Sequence, residues 1–241
     1  MKPLFYKQLA AVSHSRHQHH SVEVNQDYSF AAIANSVPAG VSEFSLLAVE
    51  YPLVFIRQQD SLHPVAVLGL EPSQNLFVSD DGQWQGNYKP AYVRRYPFIA
   101  AKSGGDKLTL CIDEAANVVN TEGEGAQLFN QQEPSDYLQQ MLDFVKAYED
   151  ESVRNQQLAD LLEKYELLEP CTMNYVPEEG QKSSLSGFLV VSRERLQKLA
   201  APAISELHTS GALELIHQHL LSLQQFNQLA ALSSRPDTME A

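Results

Sequence analysis

The 241-residue chain is short of several things at once, and each shortage removes a class of explanation. Cysteine is nearly absent. Cys111 and Cys171 are too few for a disulfide scaffold, and both sit among apolar or β-branched neighbours. Two reduced structural thiols are expected, with one bridge as the alternative. Cations are scarce too: 17 lysines and arginines face 30 acidic residues, for a formal charge of −13. Neutralising phosphates takes clustered cations, so neither a constitutive nucleic-acid partner nor adhesion to an anionic membrane is expected. No run of 18 apolar residues occurs, which excludes an inserted membrane helix. Lys7 and Gln8 interrupt the first apolar residues, so no secretory signal is read and the expected location is cytoplasmic.

Cofactor signatures are missing as well. There is no G-x-x-x-x-G-K-S/T, no G-x-G-x-x-G after a strand and no H-E-x-x-H. Gly123-Glu-Gly125 lies among carboxylates that would repel a phosphate. Ser184 stands where a nucleophile elbow around Ser186 would need glycine. No cofactor and no metal are expected, and no catalytic motif is recognised.

What is present reads as α+β: a β-rich N-terminal half, with mixed or antiparallel sheet, packed with C-terminal helices. Residues 1–241 are expected to form one domain, with residues 233–241 a polar, disordered tail. Tyr28–Ile33, Leu53–Arg57 and Pro64–Leu70 have strand patterns. Ser42 can cap a short helix carrying Phe44 and Leu47. Asp81-Gly82 suits a tight turn between Asn75–Val78 and Gln83-Trp84. Tyr92–Ala100 and Lys107–Asp113 read as a hairpin around Ser103-Gly-Gly-Asp106. Thr121–Gln132 reads as a loop. Pro134 suits the first turn of a helical stretch, and Tyr137, Leu138, Met141, Leu142 and Val145 carry it toward Tyr165 as one bent helix or two. Cys171–Val176 and Leu185–Val191 return to strand, around a polar turn at Pro177–Ser184, before further helices from Ser192 onward.

Several residues could carry chemistry. Four histidines, His14, His17, His19 and His20, could chelate a metal, although the segment has few apolar anchors and a solvated strand or turn is the simpler reading. His217 and His219 lie on different helix faces, so a shared metal is not expected and ordinary surface or partly buried histidines are. Asp113-Glu114 ends a strand, so the two carboxylates point to opposite faces; they are candidate general bases but not a dyad. Arg94-Arg95, between Tyr92 and Tyr96, stands out in an acidic chain. It suits either a structural lock on a carboxylate or a bidentate grip on a ligand anion. Trp84, Tyr88, Tyr92 and Tyr96 add aromatic surface, which lines clefts or covers a core edge. The Leu-rich segment 213–232 packs on its own sheet or docks a helix.

These segments together resemble the bacterial SapC family. The resemblance rests on Pro3-Leu-Phe-Tyr6, Tyr51-Pro-Leu-Val-Phe55, Val65–Leu70 with Asn75-Leu-Phe77, Pro90–Phe98, Leu110–Glu114, Leu185–Phe188 and Leu220–Leu223. It implies a protein named for a paracrystalline surface layer, with family genes placed near outer-membrane receptors and cupin-like or halogenase-like genes. Three functions stay open. The first is a non-catalytic accessory protein that binds a protein or peptide partner, linked to a surface layer or to peptide uptake, through Trp84, Tyr92, Arg94, Arg95 and Tyr96. The second is an enzyme acting on an anionic peptide or metabolite, with Asp113 or Glu114 as base. The third is a surface-layer component.

Overall fold

The computed structural model describes residues 3–24, 27–102, 108–176 and 183–234. The Ser103–Asp106 turn, most of the Pro177–Ser184 turn and the tail beyond Ser234 lie outside the described residues. In chain order the early elements are β1 (Leu9–Ala11), α1 (His14–His17), β2 (Ser21–Val22), β3 (Ser36–Pro38), α2 (Phe44–Leu47), β4 (Leu53–Gln58) and β5 (Ser61–Val67). Then come α3 (Ala91–Arg94), β6 (Phe98–Lys102), β7 (Leu108–Asp113), β8 (Val119–Asn120), β9 (Ala126–Gln127), β10 (Phe129–Asn130), β11 (Glu133–Pro134) and α4 (Asp136–Lys164). The last are β12 (Leu168–Tyr175), β13 (Ser183–Val191), α5 (Arg193–Gln197), α6 (Ala201–Thr209), α7 (Ala212–Ser222) and α8 (Gln225–Ser233). Antiparallel sheets and later helices make this an α+β chain.

The chain divides into two compact units, residues 1–31, 78–84 and 91–150, and residues 32–77, 85–90 and 151–241. The first unit is built on an antiparallel sheet of order β1-β7-β6. β6 and β7 pair antiparallel as the expected hairpin, with Phe98 opposite Ile112 and Ala100 opposite Leu110. Phe98, Ile112, Leu128 and Val145 form a buried core, against which Tyr137 and Met141 of α4 pack. Burying a side chain of this size stabilises the fold by about 2 kcal/mol.

Four expectations change in this unit. Tyr28–Ile33 is not a strand but encloses a 3-10 turn at Ser29–Ala31, because Phe30 stacks on Tyr96 and Tyr28 leans on Trp84. Tyr92–Ala100 is a strand only from Phe98. Before it stand the helical turn α3 and a cis Tyr96-Pro97 peptide. The expected loop at Thr121–Gln132 contains β9 and β10, and Pro134 belongs to β11 rather than to a helix. Ser135 starts α4 instead, its Oγ accepting the Leu138 N–H at 3.1 Å. The turn at Asp81-Gly82 holds: Gly82 takes a φ of 76°, which a side chain would disfavour, and Val78 bridges Trp84.

The second unit carries a five-stranded antiparallel sheet of order β12-β13-β4-β5-β3. α7 packs on it, and Ser222 Oγ accepts the Leu53 N–H at 2.9 Å. Ser42 does not cap α2. Gly40 precedes the 3-10 turn Val41–Glu43 and donates its N–H to the Glu43 carboxylate. Gly211, at φ 78°, separates α6 from α7. α4 is one 29-residue helix. Both cysteines are free.

Candidate functional site

Most of the residues singled out in the sequence lie in the first unit. Arg95 is 4% exposed, whereas its neighbour Arg94 faces solvent and lies over the Phe144 ring at 5.1 Å. Successive side chains leave a helical turn about 100° apart, so the two arginines diverge and the pair is not a bidentate clamp. Arg95 sits between the faces of Tyr92 (4.1 Å) and Tyr148 (4.4 Å), with Tyr6 at 5.9 Å. Burial alone would lower the proton affinity of the guanidinium. The surrounding Tyr6, Tyr148 and Tyr92 more than offset this and raise its pKa. Its nearest recorded carboxylate is Glu149, at 3.7 Å, not Asp113. The Arg95 Nε is buried with no hydrogen-bond partner.

Asp113 is fully buried and acts as an acceptor for backbone. Its Oδ1 receives the N–H groups of Gln8 (2.7 Å) and Ala115 (3.3 Å). Its Oδ2 receives the Lys7 N–H (2.8 Å) and the Tyr96 hydroxyl (3.3 Å). Four donors occupy the four lone-pair directions of a carboxylate. Tyr96 is pushed up by burial first and then by the Asp113 charge. Tyr6, raised by burial, donates its hydroxyl to the Phe98 carbonyl at 2.6 Å.

Glu114 points the other way, as the strand alternation requires. Arg16 grips it in bidentate fashion at 2.5 and 2.6 Å, and Gln8 and His17 each lie at 3.2 Å. The Arg16 hydrogen bonds hold its pKa below the usual carboxylate range. The carboxylate lock anticipated at Arg94-Arg95 is thus made by Arg16.

The histidine segment is more ordered than a solvated strand or turn. His14–His17 form the helical turn α1, and His17 is fully buried with its ring 5.0 Å from His20. Burial, followed by the neighbouring His17, lowers the His20 pKa. Among the described residues no group of three His, Cys, Asp or Glu could hold a metal. His219, expected at the surface or partly buried, is fully buried in the second unit, and burial lowers its pKa to about 4. Tyr88 also belongs to that unit, its hydroxyl donating to Glu43 at 3.0 Å.

Around these polar groups runs a chain of aromatic contacts. Trp84 touches Tyr28 (6.0 Å), Phe30 stacks on Tyr96 (4.0 Å), and Phe5 reaches Phe30 (5.1 Å) and Tyr92 (5.5 Å). Phe5, Phe30, Trp84 and Tyr96 are all half-buried. Phe5, Phe30, Tyr148, Glu149 and Arg16 were missed as site residues. Only Phe5 had a signal, as part of Pro3–Tyr6; the others are joined to the motif by distant contacts. A hollow of about 290 Å³ in this unit is lined elsewhere, by Val12, His14, Leu110, Phe129, Leu138 and Leu142 among others.

Comparison with curated proteins and with solved structures gives no match. The SapC family model matches residues 12–229. That stretch contains every segment that carries the resemblance except Pro3–Tyr6, which precedes it and docks by Phe5 and Tyr6 onto Tyr92 and Tyr96. With nine-tenths of its length inside the match, the chain belongs to the SapC family.

Proposed function

We propose that the chain is a non-catalytic accessory protein that binds a protein or peptide partner. Its recognition face is the half-buried aromatic surface of Phe5, Phe30, Trp84 and Tyr96. One observation carries this reading. The polar groups that chemistry would need are engaged internally, Asp113 by four donors and Glu114 by Arg16, while these rings keep part of their surface in water. Rigid aromatic side chains contribute large contact area at low entropic cost, and they are enriched at binding surfaces. The surface-layer and peptide-uptake links implied by the family would make the partner a component of such a system.

The test is capture of partners from a native lysate by wild type, Phe30→Ser and Trp84→Ala, with melting temperatures checked. Loss of a captured partner with either variant is expected. Equal recovery by all three sinks the proposed face. A second reading, an enzyme or sensor for a small anionic peptide or metabolite, has the unpartnered Arg95 Nε in its favour. Titration calorimetry with acetate and acetylated dipeptides should then give heats that Arg95→Lys abolishes.

A further inference from the structure

The sheets of the two units treat their edges differently, and the hydrogen-bond registers show how. In an antiparallel pair, alternate residues turn their N–H and C=O toward the partner strand and the others turn them away. In the second unit, Leu68 N–H bonds Asn35 O and Ala39 N–H bonds Pro64 O, which leaves Ser36 and Pro38 of β3 facing outward. On the opposite edge, Ser192 N–H bonds Leu167 O, so Leu168 and Pro170 of β12 face outward. Both edges therefore carry a proline where a donor would point out. The Leu168 carbonyl is also taken by Arg195 at 2.7 Å. Such devices stop an edge from recruiting another strand.

The first unit has no such protection on β1. Glu114 N–H bonds Gln8 O and Val12 N–H bonds Leu110 O, so the backbone groups of Leu9 and Ala11 turn away from β7. Neither residue has a recorded outward partner among the described residues, Leu9 is 44% exposed and Ala11 is exposed. The opposite edge, β6, is partly filled: its outward Phe98 carbonyl accepts the Tyr6 hydroxyl and its N–H bonds Arg95 O.

We propose that β1 pairs antiparallel with β1 of a second copy of this chain, about a two-fold axis at Ala10. The register and the side chains suit this occupant. Leu9 then faces Ala11 of the other copy, and Ala11 faces its Leu9, so both outward residues become hydrogen-bonded pairs and four backbone bonds form at once. Leu9 meets a small side chain rather than another Leu9, and Lys7 lies across from Ser13, so no like charges oppose. The ladder stops there, because Lys7 N–H is held by Asp113 and Ser13 N–H by His17. A short ladder between chains of −13 charge makes a weak dimer that salt strengthens by screening.

Sedimentation equilibrium of the full chain, from micromolar to several hundred micromolar in low and high salt, tests this. The average mass of wild type should climb toward twice that of the monomer, and further in high salt. Ala11→Pro copies the outward proline of Pro38 and Pro170 without touching a β1–β7 bond. It should stay monomeric with an unchanged melting temperature. Where Ala11→Pro melts early, Leu9→Lys decides, since that side chain is exposed; it should weaken association at least several-fold. A wild type that remains monomeric at the highest concentration and salt overturns the proposal, as does either folded variant associating like wild type. Hydrogen exchange at the Leu9 and Ala11 amides should slow as concentration rises. Protection independent of concentration assigns the edge to another occupant and also overturns self-pairing.

Discussion

Each unit contains a buried basic side chain that ties distant segments together, and the two do it by opposite means. His219 in the second unit is held neutral. Its Nε2 accepts the Val191 N–H at 3.0 Å, so its Nδ1 carries the proton donated to the Leu53 carbonyl at 2.9 Å. Every polar atom of that ring is used, and no charge is buried. Arg95 in the first unit stays charged and is met mainly by ring faces, with Glu149 at 3.7 Å and its Nε unpartnered. A neutral, fully bonded group costs little to bury and fixes one geometry. A charged group among aromatic faces is stabilised without directional acceptors, so it depends on a flat cation.

The comparison can be pressed hardest at Asp113, which supplies the directional bonding that Arg95 lacks. Asp113→Ala leaves the Lys7 and Gln8 amides without their acceptor and should cost about 4 kcal/mol in urea unfolding. Next comes acid. The folded pKa of His219, about 4, lies below the unfolded value of 6.5, so the unfolded chain binds the extra proton first. The stability it contributes is complete above pH 6.5 and is lost as pH falls from there through 4, a total of about 3 kcal/mol. His219→Gln should flatten that part of the urea-midpoint profile. A profile unchanged by the substitution would mean that the neutral ring is not the pin. Arg95→Lys keeps the charge but loses the flat face, and should cost about 2 kcal/mol. A loss near zero would show that charge alone suffices there. Smallest is Arg16→Ala. The arginine is 56% exposed, so removing its pair with Glu114 should cost no more than about 1 kcal/mol, and less in high salt.

Trp84, the one tryptophan, lies in the first unit and gives that region its own fluorescence signal. Should the chain unfold as one cooperative domain, as its length and pattern predict, His219→Ala in the other unit will shift the Trp84 transition and the circular-dichroism transition together.

Much of the fold was legible because it is local. The strands β4, β5, β12 and β13, the β6–β7 hairpin and the later helices follow from apolar runs of strand length and three-to-four spacing in short windows. The departures have long-range causes. Tyr28–Ile33 alternates like a strand, but Phe30 is held by Tyr96, far along the chain. Arg94-Arg95 was conspicuous by composition, yet its meaning rests on Tyr6 and Tyr148, which no window around residue 95 contains. His219 has the spacing of any helix residue; its partners at Leu53 and Val191 make it a pin. Asp113 was readable as a strand end and as pointing opposite to Glu114. That its acceptors serve the backbone of residues 7 and 8 was not, because backbone donors leave no mark on side-chain patterns.

The Asp113 bonds to Lys7 and Gln8 also set a timetable for synthesis. These partners are 106 and 105 residues apart in sequence, so β1 leaves the ribosome long before β7 and the carboxylate that anchors it. Through that interval β1 lacks its strand neighbour β7, and the first unit closes only after the sequence up to Asp113 has emerged. The earliest part of the sheet to be made is thus among the last to be bonded, and its apolar Leu-Ala-Ala strand is the segment a nascent-chain chaperone would have most time to hold.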